Sequence, residues 1–220
     1  MGQTAIVFGA TGLVGGELVN ELLVNKDYDK VIAVTRRKIP IGGPKLEQLK
    51  LHDFKQLGQL KNKLDASAYF CCIGTTIKKT GSKEAFRKVD YDIPFMIAKM
   101  AEALKVPSLV VISSIGATTK TANFYLRTKG EMELAVHETY SGNLSFIRPS
   151  LLIGHRSEYR FGESLAIFFM KLFGWLFVGP LKKYRGIKAK DVARAMVLIS
   201  RQKKPKKVYG TLELRQLIKG

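Results

Sequence analysis

The run Gly9-Ala10-Thr11-Gly12-Leu13-Val14-Gly15 constrains this chain more than any other feature. It follows an apolar, β-branched segment, Thr4 to Phe8, and leads directly into a helix-period segment, Leu13 to Val24, with Leu18 and Leu22 on one face. Glycines spaced three and three have separate physical jobs. One permits a tight turn, one lets the backbone approach a pyrophosphate, and one lets the helix lie close to the sheet. The helix start then offers free N–H groups and the positive end of its dipole to an anion. A bare strand-to-helix turn is the alternative, because glycine spacing alone is a weak signal. Here the glycines occupy the first strand-to-helix unit, which is where a dinucleotide-binding turn has to sit.

The rest of the chain repeats the alternation. Strands are expected at Thr4 to Phe8, Val31 to Thr35, Leu46 to Leu51, Ala68 to Cys72, Leu109 to Ser113 and Leu144 to Ile147. Several are continuous apolar runs, as strands buried on both faces are. Helices are expected at Leu13 to Val24, Lys83 to Leu104, Tyr125 to Glu138, Leu165 to Phe173 and Asp191 to Ser200. This rhythm predicts an α/β fold: a doubly wound parallel sheet of Rossmann type with a small C-terminal helical elaboration. The 220 residues are expected to form a single NAD(P)-binding domain over 1–220, with the substrate and lid region mainly within 150–190.

Against 37 Lys and Arg stand 18 Asp and Glu, a formal charge of +19. Such a surface attracts polyanions, but no nucleic-acid module accompanies it, so most of these cations are expected to form a solvated face. The cysteines, Cys71 and Cys72, are adjacent in an apolar run and can neither staple distant segments nor supply zinc-ligand spacing. With no signal-like segment at the N-terminus, the expectation is a reduced, cytoplasmic protein. His52, His137 and His155 are scattered without ligand spacing, and no metal is expected.

At the end of the second strand an acidic residue would bind the ribose 2′-hydroxyl of NAD. This chain has Thr35-Arg36-Arg37 there. A guanidinium can pair with the 2′-phosphate instead, by about 1.5–3 kcal/mol, so NADP(H) is expected over NAD(H). After the fifth strand come Ser113 and Ser114, and then Tyr125 and Lys129, spaced i to i+4 and therefore on one helix face. An ammonium beside a phenol favours the phenolate, which suits a tyrosine to proton transfer, and a serine hydroxyl at the strand end can bond a reacting oxygen. Either serine could serve.

These segments, with Ser113-Ser114-Ile115-Gly116, Tyr125-Leu126-Arg127-Thr128-Lys129 and Ile147-Arg148-Pro149-Ser150, resemble the atypical short-chain dehydrogenase/reductases. The run from Ser113 through Asn123-Phe124-Tyr125-Leu126 to Lys129-Gly130-Glu131, followed by Arg148-Pro149, is similar to the Tat-interacting-protein type among them. The resemblance spans almost the whole chain. It implies NADPH binding and a triad of Ser113 or Ser114, Tyr125 and Lys129, with Lys129 also on the nicotinamide ribose. It further implies Asp53 near the adenine, Cys72-Ile73-Gly74 by the adenosine ribose, and Pro149-Ser150-Leu151-Leu152 by the nicotinamide. Cys72-Ile73-Gly74 departs from the alanine-glycine pair of many relatives, and Ser150 replaces the usual glycine.

The expected function is an NADPH-dependent oxidoreductase acting on a small carbonyl or alcohol. An NADPH-binding regulatory module and a nucleotide-sugar epimerase or dehydratase are the alternatives. The apolar stretch Leu165 to Pro180 has three readings, in order: a cover over the substrate pocket, a subunit interface in a homo-oligomer, or a peripheral contact with an anionic membrane helped by Lys182, Lys183 and Arg185.

Overall fold

The computed structural model describes residues 2–154 and 185–219. In chain order the strands are β1 (Gln3–Phe8), β2 (Tyr28–Thr35), β3 (Leu46–Lys50), β4 (Ala68–Cys71), β5 (Ser108–Ile112), β6 (Asn143–Arg148), β7 (Leu152–Ile153), β8 (Ile187–Lys188) and β9 (Val208–Gly210). All but β7 and β8 join one seven-stranded sheet in the order β3-β2-β1-β4-β5-β6-β9, and every neighbouring pair is parallel. β7 and β8 make a separate parallel pair.

The described helices are α1 (Leu13–Val24), α2 (Ile77–Thr80), α3 (Lys83–Arg87), α4 (Ile93–Ala103), α5 (Phe124–Thr139), α6 (Ala189–Ser200) and α7 (Thr211–Leu217). A 3₁₀ helix covers Phe54–Lys63. Because side chains alternate across a strand, β1 feeds two cores. Ala5 and Val7 join Leu18 and Leu22 of α1 and Val192 and Met196 of α6 on one face. Ile6 and Phe8 join Ile97 of α4 and Met132 and Val136 of α5 on the other. Each fully buried side chain of this size contributes about 1.5–3 kcal/mol relative to exposure. The predicted doubly wound sheet is therefore present, and each core strand lies within a residue or a few of its expected position. The C-terminal part supplies a seventh strand, β9, as well as helices.

The order of the sheet positions the site. The chain winds outward from β1 through β2 to β3, then returns to lay β4 beside β1. Loops leaving β1 and β4 diverge there, opening the crevice in which ligands of such sheets bind. The Cys72 N–H donates to Phe8 O at 2.8 Å, which keeps the two strand ends together as the loops part.

One expected helix differs. Lys83 to Leu104 reads as unbroken, but the structure runs from α3 through a π turn, Lys88–Asp92, into α4. Pro94 supplies the reason. Lacking an N–H, it cannot bond the carbonyl of Asp90 four residues earlier, and its ring crowds that carbonyl. The chain takes up an extra residue, as π turns do, and Asp90 points inward, fully buried. The expected helix Leu165 to Phe173 and the apolar stretch to Pro180 lie outside the described residues, as does His155. Among the described residues no helix is long and apolar enough to cross a membrane.

Candidate cofactor and active site

The glycine turn is built as its spacing predicts. Gly9 has φ +87°, a left-handed conformation that L side chains rarely adopt. The Gly12 N–H closes the turn onto Gly9 O at 2.9 Å. α1 begins with no side-chain cap and no acidic residue in its first turn, so its N–H groups and dipole are left to an anion. α2, α3 and α5 are capped by Thr76, Ser82 and Asn123, while α4 and α6 share the uncapped start of α1 but do not follow a glycine turn. Leu13 reaches the far wall, since a side chain at Gly154, just past β7, would meet Leu13 Cδ1 at 2.7 Å.

Beyond β2, Thr35 is buried while Arg36 and Arg37 are exposed at the edge of the crevice. Leu51 N–H donates to Thr35 O at 2.9 Å and draws the loop carrying Asp53 alongside. There Asp53 Oδ1 accepts the Lys55 N–H at 2.9 Å and caps the 3₁₀ helix. After β4, Cys72 and Gly74 bracket the buried Ile73. A Cβ on Gly9 would sit 2.9 Å from Cys72 O, and one on Gly74 would sit 3.7 Å from Lys129 Nζ. This loop thus links the glycine turn to Lys129.

The two serines separate. Ser113 is 5% exposed, and its N–H is held by Ile147 O at 2.7 Å. Its Oγ is one of two buried side-chain oxygens among the described residues with no hydrogen-bond partner. Ser114 is half-buried, and its hydroxyl donates to Ile115 O at 3.3 Å. On α5, Tyr125 is half-buried with its ring 5.6 Å from that of Phe86. Lys129, one turn on, is 3% exposed. Gly130 lets the loop after β5 cross the helix, for a Cβ there would meet the Thr118 carbonyl carbon at 2.3 Å.

The second such oxygen, Asp90 Oδ1, is paired by charge instead, 2.7 Å from Lys129 Nζ. Asp90 Oδ2 accepts the Thr75 N–H at 2.8 Å. Burial works against the Lys129 charge, but Asp90, with Tyr125 and Cys71 contributing less, outweighs it and holds the ammonium above its ordinary range. Burial likewise pushes the Cys71 thiol up to about 11. Asp90 was not among the residues singled out from sequence. Pro94, four residues on, marks an irregularity in the helix but not that Asp90 would be buried there.

The expected stretch Pro149 to Leu152 is held in place by its neighbours. Ser150 N–H donates to Thr211 Oγ1 at 2.9 Å, its hydroxyl donates to Arg185 O at 2.7 Å, and Leu151 O accepts the Ile187 N–H at 2.9 Å. Arg148 chelates Glu133 through Nε and a terminal amine, tying the end of β6 to α5. That pair was also invisible in the sequence.

Residues 5–212 match the model of the NAD dependent epimerase/dehydratase family. The chain belongs to this family. Within it the likeness is to atypical short-chain dehydrogenase/reductases of the Tat-interacting-protein kind. Protein HTATIP2 of Rattus norvegicus is 33% identical over 177 residues, 79% of this chain and 72% of that protein. Protein FMP52, mitochondrial, of Lodderomyces elongisporus is 32% identical over 207 residues, 90% of this chain and 86% of the relative. ADP-L-glycero-D-manno-heptose-6-epimerase of Helicobacter pylori superposes with a TM-score of 0.71, at 19% identity, over 99% of this chain and 81% of its own. That likeness is one of fold. Epimerase/dehydratase family members are NAD(P)-dependent enzymes, and this chain carries the sheet of the solved epimerase.

The expected cytoplasmic location is corrected by the relatives. FMP52 proteins of Lodderomyces elongisporus, Debaryomyces hansenii and Candida glabrata are mitochondrial. Unpaired cysteines report redox conditions and carry no address, so they could not have placed the chain in one compartment.

The residues present fit the cofactor that the family implies. The turn has no Cβ where a pyrophosphate must approach, the helix behind it is uncapped, and an orphaned hydroxyl and a buried ammonium lie further along the same crevice.

Proposed function

We propose that this chain is an NADPH-dependent oxidoreductase acting on a small carbonyl or alcohol, with Tyr125 as its acid and base. The observation that carries this reading is the Ser113 hydroxyl, buried and unpartnered at the end of β5. Unpaired buried hydroxyls are costly and are retained where a ligand completes them.

Bound NADPH supplies the hydride. Gly9, Ala10, Thr11, Gly12, Leu13, Val14 and Gly15 hold the pyrophosphate, and Arg36 and Arg37 pair with the 2′-phosphate, favouring NADP(H) over NAD(H). Asp53 lies toward the adenine, Cys72, Ile73 and Gly74 toward the adenosine ribose, and Pro149 to Leu152 toward the nicotinamide. As the carbonyl carbon gains hydride, Tyr125 gives its phenolic proton to the oxygen, and the reverse reaction returns it. Ser113 donates to that oxygen and strengthens as charge develops on it. Lys129 interacts electrostatically with Tyr125 from the same helix face.

Tyr125→Phe tests the reading. Carbonyl turnover with NADPH should fall by about 10²–10⁴ while NADPH binding persists. Unchanged turnover overturns the assignment. A wild-type protein that binds NADPH but turns over no carbonyl or alcohol would favour a regulatory module. The family description raises a nucleotide-sugar epimerase. Conversion of a nucleotide-sugar without net consumption of NADPH would favour that reading instead.

A further inference from the structure

We infer that Asp90 is a positioning residue, whose buried carboxylate, carried on the π turn, fixes the Lys129 ammonium in place and keeps it charged beneath the cofactor crevice. The inference rests on the proposed function only for the purpose of that ammonium. Its geometry stands alone.

Lys129 and Asp90 are 3% and 1% exposed, and Nζ lies 2.7 Å from Oδ1. An ammonium so far out of water, if unpaired, sheds its proton. Three groups face it with a charge or a titratable proton: Asp90 from the π turn, Tyr125 from its own helix, and Cys71 from β4. Of these only Asp90 is a carboxylic acid in direct contact with it, and it is the largest of the influences that favour the charged lysine. The carboxylate is itself oriented, because Oδ2 is anchored by the Thr75 N–H, in the loop that follows Gly74. Asp90 lies on the buried face of this helical segment, in line with Phe86, Pro94 and Ile97, so the carboxylate has no route to solvent and must be paired inside.

A buried ion pair is poor economy as a mere fastener, since well-packed apolar side chains of similar volume do as well or better. This one joins the deformed helix to the residue one turn beyond Tyr125, on the helix that the proposed reaction uses. A charge kept fixed at this point has a use that a fastener does not.

The test uses lysine-labelled protein, with the Lys129 side-chain resonance assigned by its loss in Lys129→Met and followed against pH by NMR. In the wild type Lys129 should remain protonated beyond the pH at which ordinary lysines titrate, about 10.4. In Asp90→Asn, which keeps the size of the side chain and an acceptor for Thr75, its titration should fall by at least about one pH unit. NADPH affinity gives the second readout. The wild type should show no step that tracks Lys129 between neutral and mildly alkaline pH. Asp90→Asn should bind about tenfold more weakly at alkaline pH and recover as Lys129 reprotonates. A structural fastener would instead give a loss independent of pH. That result, or an unmoved Lys129 titration, overturns the inference. Should Asp90→Asn fail to fold, the wild type still decides, because a Lys129 titrating at or below ordinary lysine sinks the proposal. If Lys129 responds as expected but neither protein turns over a carbonyl, Asp90 keeps its role and the oxidoreductase reading falls.

Discussion

A Cβ placed on Gly15 would lie 2.2 Å from the carbonyl oxygen of Gly9, so the first turn of α1 and the end of β1 touch backbone to backbone. No side chain fits between them. At Gly16, one residue on, a Cβ would be 3.5 Å from Ala10 O, an ordinary contact.

The neighbouring glycines should therefore respond in opposite ways. Gly15→Ala should displace the turn and abolish saturable NADPH binding, with a loss of stability of a few kcal/mol, on the order of other overpacking changes. Gly16→Ala should be neutral or gain about 0.5–1 kcal/mol from helix propensity. Thermal melts and NADPH titrations of the two variants check this, and equal tolerance would mean that the helix does not need to approach so closely.

Ser113 and Ser114 should also part company. Removing an unpartnered buried hydroxyl relieves the protein of a polar group it does not satisfy, so Ser113→Ala should leave stability unchanged or slightly higher. Its NADPH-dependent carbonyl turnover should nonetheless fall by about 10²–10³, as for other donors to a developing oxyanion. Ser114→Ala, whose hydroxyl bonds its own chain, should retain most turnover. The reverse pattern would assign the role to Ser114.

Alkaline pH should weaken the fold in a defined window. Burial raises the Cys71 thiol from 9.0 to about 11, so the folded state keeps a proton that the unfolded chain releases. The associated stability is whole below pH 9 and is lost as pH rises toward about 11, on the order of 3 kcal/mol when complete. Buried Tyr28, Tyr69 and Tyr140, also raised by burial, extend the decline above their ordinary 10.0. Cys71→Ala, followed by urea denaturation across this range, should decline less steeply than the wild type. Parallel declines would exclude the thiol as the source.

What was legible in the sequence follows from the range of each interaction. β1, α1 and the glycine turn are local patterns, and a parallel sheet with covering helices follows from alternation, whereas the strand order is fixed only by how the crossovers pack. β9 is only Val208–Gly210, too short for any period to show. Asp90 is a charged residue inside a helical pattern, which ordinarily faces water. Only the pairing with Lys129, 39 positions later, explains its burial. Ser113 and Ser114 are chemically identical, and what separates them is which side of a strand end each faces. Glu133 and Arg148 likewise become partners only when α5 lies against the end of β6.

Arg36 and Arg37 carry the central claim about the cofactor, because they stand exposed where the second strand ends and no acidic residue takes their place. The measurement that tests it most directly is a titration of the purified protein with NADPH and with NADH at fixed, moderate salt, followed by reduced-nicotinamide fluorescence and repeated on Arg36→Ala/Arg37→Ala. NADPH should bind at least about tenfold more tightly than NADH, and the double variant should lose that preference while still binding both. Tighter binding of NADH by the wild type, or a preference untouched by removing both arginines, would contradict the assignment.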